Sequence, residues 1–181
     1  MLKLTHKTIM QKAIIALIAI MAGCTFFGGH DDLSIQKTNY NGNSLRINGY
    51  YYDEDINYKN ILIFYQNGTL LSLIIDTNKI DKLEEKVIYR SLFDQKNYYR
   101  FDWGLFQIEG DSIKYEKWAA YDGYKPAFLH SGYILNDTTF VITSVSSDSK
   151  IFDKPKYTKT NTVYRFKYLP RKPDSTNKFI N

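Results

Sequence analysis

From residue 45 onward, apolar and polar positions alternate in short runs, and turn-forming pairs separate the runs. Residues 45–52 read as strand one. Residues 61–66 and 69–76 flank Asn67-Gly68, a strong short-range hairpin signal. Residues 103–109 and 112–120 flank Gly110-Asp111, residues 126–135 and 138–145 flank Asn136-Asp137, and 162–169 form the last run. The pattern predicts eight strands, nearly all joined to their sequence neighbours.

One stretch breaks the alternation. Residues 78–92 are too long and too charged for a hairpin loop, and Ile80, Leu83 and Val87 approximate helical spacing. Asn78 suits the N-cap and Asp81 the first turn. The expectation is one short helix between strands three and four. Register follows from loop length. A two-residue loop at Gly110-Asp111 sets Ile108 opposite Ile113, Phe106 opposite Tyr115 and Trp103 opposite Trp118. The first hairpin differs, with Leu62, Phe64, Leu71 and Leu73 expected on one face and Ile61, Ile63 and Ile74 on the other. Two apolar faces need two covers, and the 78–92 helix is the expected second one.

Eight sequential antiparallel strands with one helix resemble the lipocalin-like, or calycin, β-barrels across residues 45–169. Gly49-Tyr50-Tyr51 resembles the Gly-x-Trp opening of that family, with Tyr51 in place of Trp, and Arg165 on the last strand is in place for the family's closing Arg. The resemblance implies a mainly β, eight-stranded antiparallel up-and-down barrel holding a small apolar or amphipathic ligand. The interior of such a barrel is just wide enough to hold one small ligand or to be packed solid. A structural or protein-interaction role with no ligand is therefore the alternative.

The N-terminus follows another pattern. Residues 1–12 are cationic, and Ala13 to Ala22 is an apolar run ending in Met21-Ala22-Gly23-Cys24. Ten apolar residues rise about 15 Å as a helix, roughly half a hydrocarbon core, so a signal peptide is expected rather than a span. The last four residues resemble a bacterial lipobox. That resemblance implies removal of residues 1–23, acylation of Cys24 with palmitate-type chains, and a membrane lipid anchor. Thr25, not Asp, follows the cysteine, which by resemblance to the lipoprotein sorting rule favours the outer membrane, facing the periplasm or the cell surface. Residues 24–44 carry Gly28-Gly29 and Asn41-Gly42 without periodicity and read as a flexible tether. Residues 170–181, with Pro170 and Pro173, read as a disordered tail.

Cleavage changes the charge balance. Of 24 basic residues, Lys3, Lys7 and Lys12 fall in the first 23, leaving 21 against 19 acids. So small an excess is no footprint for nucleic acid. Cys24 is the only cysteine, so an acylated chain has no thiol for disulfides, metal ligation or catalysis.

No glycine-rich phosphate loop follows a strand, no histidine–carboxylate set has metal spacing, and no cofactor is implied. Asp53-Glu54-Asp55 reads as a solvated turn. His30 with Asp31 and Asp32 reads as too mobile to hold a metal. His130 is expected mid-strand opposite Thr143, and Ser131 beside it points to the other face, which excludes a relay between them. Without a convergent constellation the chain reads as a binding protein rather than an enzyme. Among 16 tyrosines and 11 phenylalanines, Tyr51 and Tyr65, together with His130, are the candidate ligand contacts. An envelope protein is the alternative partner.

Overall fold

The structure, a computed structural model, describes residues 29–78 and 99–180. Its strands are β1 (Gly49–Asp53), β2 (Tyr58–Phe64), β3 (Thr69–Asp76), β4 (Trp103–Glu109), β5 (Ser112–Trp118), β6 (Ala127–Asn136), β7 (Thr139–Ser147) and β8 (Lys156–Tyr168). Each pairs antiparallel with its sequence neighbour, and β8 returns to β1 to close the barrel. Closure leaves no strand edge to pair with another chain. The mainly β, up-and-down architecture read from the alternation is the one observed. A short 3₁₀ helix, Arg100–Asp102, lies between β3 and β4. The stretch expected to be helical, 78–92, lies outside the described residues from residue 79 onward. No helix among the described residues is long and apolar enough to cross a membrane.

Register agrees with expectation where the loop is tight. In β4–β5, Ile108 pairs with Ile113 and Phe106 with Tyr115, and Gly110 takes the positive φ of 59° that its two-residue loop requires. In β2–β3 the expectation slips by one. The loop is longer than Asn67-Gly68: the Gly68 N–H donates to the Tyr65 carbonyl, the Tyr65 N–H to the Thr69 carbonyl, and Gly68 sits at φ 80°. Phe64 therefore pairs with Leu70. A one-residue slip exchanges faces, so Leu70 rather than Leu71 joins Leu62 and Phe64 inside. In β6–β7 the slip is one residue from Gly132 to Ile134 and, past the irregularity at Ser131/Gly132, two at His130, which pairs with Val145 instead of Thr143. An even slip preserves sidedness, so His130 remains opposite in orientation to Ser131. Gly132 allows the close strand approach there: a Cβ would stand 1.8 Å from the Val141 carbonyl oxygen.

Two apolar layers result. Tyr51, Leu62, Phe64, Leu70, Phe106 and Phe140 fill the interior. Tyr50, Ile61, Ile63, Leu71, Trp103 and Trp118 make a second buried cluster on the outer face of β1–β5. A second cover does exist, but among the described residues it comes from the chain ends and the 3₁₀ helix: Leu33, Phe101, Phe179 and Ile180 pack on that face.

Two expectations are corrected accordingly. Over residues 29–44 the supposed tether is a strap. Buried Glu116 on β5 accepts hydrogen bonds through Oε2 from the Ser34 N–H (2.5 Å), the Ser34 hydroxyl (3.0 Å) and the Ile35 N–H (2.9 Å). Ile35 is buried, and the Tyr40 N–H donates to the Gln66 carbonyl at 2.7 Å. The tail, too, is docked. Lys172 donates to the carbonyls of Ile47 (2.6 Å) and Phe64 (2.9 Å), and Asn67 donates to the Ser175 hydroxyl. Apolar side chains without periodicity still bury wherever a sheet face is left uncovered.

Candidate functional site

The barrel interior is filled at one end and hollow at the other. In an up-and-down barrel the β1–β2, β3–β4, β5–β6 and β7–β8 connections share one end. There a cavity of about 490 Å³ opens, lined by Asp53, Asn60, Ser72, Lys117 and His130 among others, with Tyr115, Tyr164 and Thr162 deeper in the wall.

Strand alternation explains why polar groups point inward. Asp53 is two residues beyond interior Tyr51, and Lys117 is two beyond interior Tyr115. Asp53 is no solvated turn residue: it is buried, and it accepts hydrogen bonds from the Asn60 N–H at 2.9 Å and from the Asn60 side-chain amide. Its neighbours do form the turn, where Asp55 accepts from the N–H groups of Asn57 and Tyr58 and Glu54 pairs with Arg165.

Protein surrounds Lys117 and His130 on nearly all sides, although both keep some surface open to the cavity. The Lys117 ammonium donates to Ser72 Oγ at 2.7 Å. Burial lowers its pKa, opposed by the Asp102 charge. Burial, aided by nearby Lys117, brings His130 down to about 3, so its imidazole is neutral at physiological pH. The ring lies flat on Tyr115 at 4.3 Å with 10° between planes. The Tyr115 and Tyr164 hydroxyls hydrogen-bond each other. Burial raises both pKa values, that of Tyr164 to about 12. At neutral pH the cavity therefore presents a neutral imidazole and protonated phenols, with the Lys117 amino group among them and an acid already engaged by Asn60.

The three candidate contacts are not brought together. His130 alone lines the cavity. Tyr51 is buried in the filled end, with its hydroxyl 3.0 Å from the Arg46 carbonyl oxygen and 2.9 Å from that of Asp137. Tyr65 lies on the outer face beneath Lys172, whose Nζ is 4.8 Å from its ring centroid. Arg165 does not close over Tyr51. It is exposed and held by Glu54, while Phe166, beneath the Arg46 guanidinium, meets the Tyr51 ring. Among the described residues no three histidine, cysteine or acidic side chains gather as metal ligands. His30 and Asp31 are fixed rather than mobile: the Asp31 carboxylate already takes the Tyr124 hydroxyl (2.8 Å) and the Ala127 N–H (3.0 Å).

Lys117, Asp53 and Tyr164 escaped the sequence reading, yet period-2 counting from Tyr115 and Tyr51 reaches the first two. Comparison with protein-family models, curated proteins and solved structures finds no match for this chain. Its fold and site define it as an eight-stranded antiparallel closed barrel, consistent with a calycin or lipocalin-like shape, with a polar cavity at one end.

Proposed function

We propose that this chain is a lipid-anchored protein of the bacterial envelope, on the outer membrane, whose barrel binds one small amphipathic ligand with its polar, anion-bearing end against Lys117. The observation that carries the reading is the Lys117 ammonium: it lines the cavity, and its hydrogen bond among the described residues goes to the neutral hydroxyl of Ser72. An ammonium has three donors, and acceptors from a ligand fit the others. Tyr164 and Thr162 supply further polar groups in the same wall. An exclusively apolar ligand fits this chemistry poorly.

The role proposed is binding rather than catalysis. His130 is neutral and stacked on Tyr115, and Ser131 faces away from it. The anchor is supported by the apolar run that ends in Ala22-Gly23-Cys24, and acyl chains add about 0.8 kcal/mol per buried CH₂.

Native mass spectrometry of protein purified from its own host tests the binding role. A co-purified small molecule is expected. Lys117→Met should lower its affinity about tenfold to a hundredfold, the loss of a charged hydrogen bond worth about 1.5–3 kcal/mol. Strictly empty wild-type protein would overturn the ligand in favour of a structural or interaction role. Cys24→Ser should abolish acyl labelling and membrane retention; normal acylation of that variant would overturn the anchor.

A further inference from the structure

We propose that the anchored barrel stands with its open end toward the bilayer, so that the cavity mouth and the loops around it form a lipid-facing surface. The inference rests on the lipid-anchor reading and adds an orientation to it.

The point of attachment is well defined. The chain joins the barrel at the β5–β6 connection, where the Lys125 N–H donates to the Gly29 carbonyl and the Asp31 N–H to the Lys125 carbonyl, both at 3.1 Å. The Asp31 carbonyl accepts the Trp118 indole N–H at 2.6 Å, and its carboxylate holds Tyr124 and Ala127. Gly29 lies so close to Tyr124 that a Cβ would stand 2.5 Å from the ring. The anchor therefore meets the barrel at the end where the cavity opens.

Distance limits the alternatives. Five residue steps from Cys24 to Gly29 span at most about 18 Å. A ten-residue strand such as β6 is about 33 Å long. An acylated Cys24 therefore holds the open end within about 18 Å of the headgroups, whereas no such limit holds the far end.

The surface chemistry agrees. Around the mouth, Ile56 is 85% exposed, and Tyr58, Tyr121, Ile151 and Tyr157 are also exposed. Tyr121 meets Phe152 edge-on at 5.2 Å, and the Lys156 ammonium lies 3.8 Å from the Phe152 ring centroid and 5.2 Å from that of Tyr121. Tyrosine with an apolar body and polar tip suits a membrane interface. Lys150, Lys154, Lys156 and Lys159 outnumber Asp148 and Asp153 on the β7–β8 side, which suits anionic lipid. A ligand drawn from the bilayer would then enter without crossing water.

The far end supplies its own control, since Tyr133 and Tyr168 are exposed there. Hydroxyl-radical footprinting is read on the mature chain coupled through Cys24 to a maleimide-headgroup lipid in vesicles containing anionic lipid. The reference is the same chain coupled to a water-soluble maleimide. Oxidation of Tyr58, Tyr121 and Tyr157 should fall severalfold on vesicles while Tyr133 and Tyr168 are unchanged, and Ile151→Glu with Lys156→Glu should restore it. Equal oxidation at both ends, or protection of Tyr133 and Tyr168, overturns the orientation. Intact mass of protein from the membrane fraction distinguishes the two failures. An unacylated Cys24 overturns the anchor and the proposal with it, whereas an acylated Cys24 with an unprotected mouth overturns only the orientation.

Discussion

The two ends of the barrel interior are built from the same strands and the same alternation, yet one is solid and the other hollow. At the filled end Tyr51 meets Phe64, Phe140 and Phe166 at centroid distances of 5.1 to 5.6 Å, and Phe64 meets Phe106 at 4.8 Å. Two residues further along β1 and β5, Asp53 and Lys117 occupy the equivalent inward positions, and the packing gives way to a cavity. Stability is concentrated where aromatic rings interlock, which leaves the other end free to carry polar groups that contribute little to folding. Buried charges seldom stabilise a fold relative to apolar residues of similar size. Their presence inside a barrel that could have been packed solid fits the binding role proposed above.

Substitution at the two ends should separate these roles most sharply. Phe140→Ala removes a fully buried ring and should cost about 3–5 kcal/mol in urea unfolding. Lys117→Met should leave stability unchanged or raise it while weakening the ligand. Equal destabilisation by both would dissolve the contrast between a packed end and a binding end.

A smaller effect separates the ends by pH. The folded pKa of His130, about 3, lies below the ordinary value near 6.5. The unfolded chain therefore binds more protons between these values, and the stabilisation present above pH 6.5 is lost as pH falls toward 3. Stability should decline by about 1–2 kcal/mol between pH 6.5 and 5, and His130→Gln should flatten that part of the profile. Among the described residues the filled end has no histidine. A profile identical in the variant would mean that water reaches His130 freely.

Comparable in size is the contribution of the strap to the outer layer. Glu116→Gln removes the charge that gathers three donors from Ser34 and Ile35 and should cost about 1–3 kcal/mol, with faster amide exchange at those two residues than in β5. Exchange unchanged at Ser34 and Ile35 would show that burial of Ile35, rather than Glu116, holds the strap.

What the sequence made legible follows the same division. The β4–β5 register could be read because a two-residue loop with glycine leaves one pairing. The β2–β3 register could not, since nothing in Asn67-Gly68 shows that the loop also takes in Gln66. The strap and tail were illegible for another reason. Leu33, Ile35, Phe179 and Ile180 have no period, and their partners, Glu116 among them, lie far away in sequence. The cavity was half legible: Asp53 and Lys117 fall at inward positions by simple alternation, but a charge near a strand end reads first as solvent-facing.

The smallest expected effect concerns the tail, which covers the outer layer from the other side. Lys172 donates to the Ile47 and Phe64 carbonyls, tying the tail to the start of β1 and the end of β2. Burial lowers its pKa to about 8 from an ordinary value near 10.4. Between these values the unfolded chain again holds more protons, so the contribution of this group to stability should rise as pH climbs from 8 toward 10.4 and fall as pH drops through 8. Part of the group is open to solvent, so screening should keep the change to about 1 kcal/mol or less. Many tyrosines titrate in the same range, and only the difference between wild type and Lys172→Met isolates the lysine. That difference should favour wild type increasingly with pH, because a neutral amine keeps its bonds to the carbonyls without a buried charge. A flat difference would place the Lys172 amine in water and leave Phe179 and Ile180 to hold the tail by packing alone.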